Sequence, residues 1–125
     1  MKRTNLTGFT VVQLVERFTE LALGQYNAEI EGKIAKYNRL YDMMSAVTQQ
    51  LKSRSGDQRA ALVPLFVHPN PQVRLKAAQR AFKAAPIAAR RVFQDLSDRN
   101  IYPQAADARL SMRMLDRGES KLMDD

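Results

Sequence analysis

Apolar residues recur every three or four positions along most of the chain, and no Val/Ile/Thr run alternates at period two. That spacing predicts helices throughout. The first should start after Thr10, where Thr10 and Gln13 match a capping box and Phe9 with Leu14 match a hydrophobic staple. Val11, Leu14, Val15, Phe18, Leu21 and Ala22 then hold helical spacing as far as Gly24, which is expected to end the run or nearly so. A longer helix is predicted from Ala28 to Lys52, with Ile30, Ile34, Tyr37, Leu40, Tyr41, Met44, Val47 and Leu51 on one stripe. Glu29 and Lys33 would pair across one of its turns. Ser53-Arg54-Ser55-Gly56 stops it.

The second half is punctuated by prolines. A helix is predicted over Gln58–Val67 with Ala61, Leu62, Leu65 and Phe66 inward, bent by Pro64, which lacks a donor. His68-Pro69-Asn70-Pro71 makes a corner, where Asn70 suits the N-cap and Pro71 the first helical position. The helix that starts there should reach about Ala85. Pro86 then opens Ile87–Arg99, and Tyr102-Pro103 repeats the device for a last helix ending at Gly118. Glu119 to Asp125 reads as a frayed tail.

The fold class is therefore all-α, a short α-α superhelix of five to six helices with a long N-terminal helical hairpin. With 125 residues the chain should form one domain that buries roughly two-thirds of its surface on folding. Residues 1–55 would be the hairpin, 56–118 the repeat region and 119–125 the tail. The chain has no cysteine, which excludes disulfides and thiolate metal sites. Its basic start is not followed by an apolar segment, so neither a signal peptide nor a membrane span is expected, and the cytoplasm is the simplest location.

Charge is unevenly spread. The formal net charge is +7, yet residues 52–91 alone carry nine basic side chains and one acidic one. A concentration of that kind suits nucleic acid, anionic lipid or an acidic protein surface, and equally suits a solvated face.

The segment Leu65-Phe66-Val67-His68-Pro69-Asn70-Pro71-Gln72-Val73-Arg74-Leu75-Lys76-Ala77-Ala78 resembles the heart of a HEAT repeat. An apolar helix end meets a Pro-containing corner, and small alanines follow Val-Arg on the second helix. Pro71-Gln72 recurs as Pro103-Gln104, although Arg109 stands where the second copy would place an alanine. Lys36-Tyr37-Asn38-Arg39-Leu40-Tyr41-Asp42, Gly56-Asp57-Gln58-Arg59 and Tyr102-Pro103-Gln104-Ala105 extend the likeness. Together they make the chain similar to a bacterial domain-of-unknown-function family with HEAT-like helices. The resemblance implies a fold and a bacterial source, but no activity.

Arg74 falls at the centre of an alanine-rich helical face, where a guanidinium needs a partner. In HEAT repeats the equivalent arginine makes a structural ion pair. Asp107, expected inward beside Leu110 and Met114, is the candidate partner. Lys76, Arg80 and Lys83 fall on the opposite side and, with Arg90 and Arg91, make the expected basic binding face. His68, the only histidine, has no acidic neighbour in its corner and is expected to help end the preceding helix. Tyr37 and Tyr41 are expected to pack into the core with their hydroxyls at its rim. The carboxylates form no pair spaced for acid–base work, and phosphate loops, nucleophile elbows and HExxH are absent, so no catalytic residue, cofactor or metal is expected. The function expected is a non-enzymatic protein-interaction module that binds an acidic partner through its basic helical face; a toxin-neutralising antidote would be one form of it. The alternative is a nucleic-acid-binding module using the same cations, weakened because Phe66, Phe82 and Phe93 all fall on apolar faces rather than where bases could stack.

Overall fold

The computed structural model describes residues 5–119. The basic Met1–Thr4 start and the tail beyond Glu119 lie outside the described residues. Among those residues the chain is helical with no strand: α1 Val11–Ile30, α2 Ile34–Ser53, a 3-10 segment Gln58–Val67, α3 Pro71–Arg80, a short 3-10 turn Phe82–Ala84, α4 Pro86–Asp98 and α5 Gln104–Asp116. The chain divides into two compact units, with the boundary between Ala61 and Leu62.

In the first unit α1 and α2 form an antiparallel hairpin. The capping box is present: Thr10 Oγ1 accepts from the Gln13 N–H at 3.1 Å, and Gln13 Oε1 accepts from the Thr10 N–H at 2.9 Å. α1 does not stop near Gly24, as the sequence suggested. A Cβ built there would lie 3.0 Å from Leu40 Cδ1, so this glycine lets α2 approach α1 closely. The stop is Gly32, whose φ of +70° suits glycine. Its N–H donates to Glu29 O and that of Lys33 to Ala28 O, which closes the helix as a Schellman motif. Because the chain turns there, Lys33 meets Glu31 at 2.8 Å instead of the expected Glu29. Leu14, Phe18, Leu21, Ala22 and Ala28 of α1 are buried, as are Met44, Val47 and Leu51 of α2.

The segment Gln58–Val67 is a 3-10 helix, where an ordinary helix bent at Pro64 was expected. Pro64 cannot donate to a preceding carbonyl, and burial at Arg59 and Leu62 follows the three-residue turn of a 3-10 helix.

The second unit is built on the His68–Pro71 corner. Asn70 Oδ1 accepts from the N–H groups of Gln72 (2.9 Å) and Val73 (3.3 Å), with Pro71 in the first turn of α3. α3 ends at Arg80, earlier than its alanine run suggests; Phe82 then leaves the helix to stack on Phe93, ring centroids 6.5 Å apart. Ala77, Ala78 and Ala81 are buried, giving the close helix approach their size permits. α5 begins at Gln104, with Pro103 at the cap position, and Gly118 at φ +69° ends it. There the N–H groups of Gly118 and Glu119 donate to the carbonyls of Leu115 and Met114.

Candidate functional site

Helices α3 and α5 touch through polar side chains. Gln104 Nε2 donates to Gln72 Oε1 at 2.9 Å. One helical turn further, Lys76 Nζ lies 3.6 Å from Asp107 Oδ2. Gln79 Nε2 then donates to Asp107 Oδ1 at 3.3 Å and to Ser111 Oγ at 3.2 Å. Gln72, Lys76 and Gln104 are 3%, 5% and 2% exposed. The Gln72–Gln104 and Gln79–Ser111 contacts both span 32 residues, so the two helices run parallel and in register at the offset of the repeated Pro-Gln dipeptide.

This seam revises the site expected from sequence. Lys76 does not belong to an outward basic face. Its side chain is buried between α3 and α5, where a lysine is tolerated only with polar partners. Asp107 pairs with Lys76 and not with Arg74. Arg74 is only half-buried, and its Nη1 donates to the carbonyls of His68 (2.8 Å) and Pro69 (2.9 Å). Near the start of α3 a long side chain can run back along the apolar surface to the corner, so the wheel position did not require a carboxylate. Leu110, expected beside Asp107 on the inside, is 47% exposed. His68 serves the corner: its N–H donates to Leu65 O at 3.0 Å, and its Nδ1 accepts from the Asn70 N–H at 3.0 Å.

Other arginines behave as Arg74 does. Arg54 Nη2 donates to the carbonyls of Phe9 (2.7 Å), Leu6 (3.3 Å) and Thr7 (3.4 Å), which fastens the segment before α1. Arg109 donates to Ser97 O at 2.7 Å, Ser97 Oγ at 2.9 Å and Asn100 Oδ1 at 2.7 Å, closing the α4–α5 turn. Arg59 is buried and forks onto Asp57, 2.8 Å to one carboxylate oxygen and 2.6 Å to the other. Those hydrogen bonds hold the Asp57 carboxyl below its ordinary range, against the smaller opposite effect of burial.

At least five of the nine cations between residues 52 and 91 are therefore engaged within the fold, among them Arg54, Arg59, Arg74, Lys76 and Arg90, the last on Asp116 at 2.7 Å. Arg80 is half-buried, whereas Lys83 and Arg91 are exposed. Ile87, one turn before Arg91, is 73% exposed. Phe66, Phe82 and Phe93 are buried. Of the tyrosine pair, Tyr41 is exposed at 44%, so it does not pack fully into the core.

The first unit carries an open groove of about 830 Å³ lined by Leu6, Met43 and Val47, with Arg17, Arg39 and Asp42 among its polar residues. Among the described residues no group of three His, Cys, Asp or Glu side chains is placed to hold a metal ion. No helix among them is long and apolar enough to cross a membrane.

An all-helical chain with this in-register pair of helices matches a family described as a domain of unknown function, DUF2019, over residues 12–116. The chain belongs to that family. It is also similar to a protein from the bacterium Rhodopseudomonas palustris CGA009, known from a crystal structure, with 37% identity and a TM-score of 0.91 over 95% of this chain and 98% of that one. No curated protein matches the chain.

Proposed function

We propose that this chain is a non-enzymatic interaction module, working in the cytoplasm, that meets an acidic partner protein with the outward side of α4 and the turn before it. The observation that carries this reading is the exposed trio Lys83, Ile87 and Arg91. An apolar anchor flanked by cations gives an interface both buried area and charge steering. Arg90, tied to Asp116, stands at the edge of this face, and Lys76 drops out of it. The in-register contacts at an offset of 32 residues support reading α3, α4 and α5 as HEAT-type packing, an architecture whose members present helical faces to other macromolecules. Burial of the three phenylalanines argues against a reader of single-stranded nucleic acid that would stack bases on those rings.

The test uses poly-L-glutamate and duplex DNA as alternative probes at low salt. The protein should bind the polyglutamate, and Lys83→Gln with Arg91→Gln should weaken that binding while Lys76→Gln acts only through stability. Preference for DNA, with a steep log–log dependence on salt, would replace this reading with the nucleic-acid one.

A further inference from the structure

Helix α1 carries a second, mostly apolar stripe besides the buried one, interrupted by Thr19, whose hydroxyl donates to Val15 O. Val12, Val15, Thr19, Leu23, Tyr26 and Ile30 recur every three or four residues and share one side of the helix along its whole length. Val12 and Ile30, at its two ends, are 66% and 68% exposed, and Leu23 near the middle is also exposed, while Val15, Thr19 and Tyr26 between them are half-buried. A soluble helix normally turns polar residues to water on the side away from its core.

The rim of the stripe is acidic. By helical spacing Glu16 and Glu20 border one edge and Glu29 the other, and all three are exposed. α1 contains no lysine. Its one arginine, Arg17, lies on the far side of the wheel, within 3.9 Å of Glu20. At the hairpin turn Lys33 is held by Glu31. A chain of net charge +7 thus sets three glutamates and no lysine of α1 beside this partly exposed stripe.

We infer that this stripe docks a basic amphipathic helix of another protein, a face separate from α4 and of opposite charge preference. Apolar contact along the stripe supplies burial, and lysines or arginines beside the partner's own stripe answer Glu16, Glu20 and Glu29. The same rim disfavours two other occupants. A second copy of α1 would bring glutamates against glutamates, and an anionic lipid surface would repel them.

The experiment offers the whole protein two synthetic amphipathic helices, one of leucine and lysine and one of leucine and glutamate, and measures fluorescence anisotropy. The lysine peptide should bind and the glutamate peptide should not. Val12→Lys with Ile30→Lys should weaken binding by about tenfold or more, with the helical circular dichroism unchanged. Glu16→Gln with Glu20→Gln should weaken it chiefly through a slower association rate. Binding that ignores these four substitutions, or equal binding of both peptides, overturns the inference. So does a concentration-dependent dimer that Ile30→Lys dissolves, which would make a second copy the occupant.

Discussion

Gln72 and Gln104 hold equivalent places in two Pro-Gln dipeptides and are hydrogen-bonded to each other at 2.9 Å in a buried interface. Replacing one of a buried pair leaves the other desolvated, whereas replacing both by apolar groups of the same shape removes the problem. Gln104→Met should therefore destabilise by about 1–3 kcal/mol. The double variant with Gln72→Met should lose less than the sum of the two single variants. Urea denaturation of the four proteins in the cycle measures this, and strict additivity would mean that the contact carries no coupling.

Asp107 and Lys76 give a prediction of unequal cost. Lys76→Met keeps most of the buried stem and removes a charge, so stability should change by less than about 1 kcal/mol. Asp107→Ala removes the carboxylate beside the buried ammonium and should cost about 1–3 kcal/mol, less than a fully buried pair because the carboxylate is partly in water. Chemical denaturation checks the order; a costlier Lys76→Met would show that the lysine is doing more than filling space.

The two glycines of the hairpin should respond differently. At Gly32 the backbone is left-handed, and Gly32→Ala should lose about 1 kcal/mol. At Gly24 the helical preference of alanine, worth about 1 kcal/mol, is set against crowding of Leu40. The net change for Gly24→Ala should stay within about 0.5 kcal/mol. Thermal melts of both variants separate a helix stop from a packing contact.

That contrast shows which parts of the fold were legible. Local chemistry announced itself: the Thr10–Gln13 box, the Asn70 cap and Gly118 each act through neighbours in sequence, and each is where the pattern put it. Gly24 and Gly32 look alike in sequence, and only Leu40, packed from the next helix, tells them apart. Arg74 misled for a related reason. A helical wheel fixes where a Cβ points but not where a long guanidinium stem ends, and backbone carbonyls as acceptors leave no mark in sequence. The seam was half visible, since the repeated Pro-Gln pair gave the right offset without showing that its glutamines would face each other. The outward stripe of α1 stayed hidden because a helix ending near Gly24 leaves out Tyr26 and hands Ile30 to the next helix, whereas α1 runs to Ile30.

Asp57 predicts a dependence on pH. Its carboxyl is held below its ordinary range by Arg59, so the contribution to stability is present above the unfolded value near 3.8 and is lost as pH falls through the lower folded value. Asp57→Asn should be less stable than the parent at neutral pH, and the gap should close in acid below that range. A constant gap at every pH would show that the carboxylate charge is not involved.

The division of charge between scaffold and surface is the claim on which the rest depends. Thermal unfolding of Arg54→Gln, Arg59→Gln and Arg74→Gln, beside the joint variant Lys83→Gln with Arg91→Gln, tests it most directly. Each of the first three should lower Tm by about 4 °C or more, as expected for loss of at least about 1 kcal/mol in a chain this size, while the joint variant should melt within about 1 °C of the parent. Equal melting of the three arginine variants and the parent, or a large loss in the joint variant, would contradict the account.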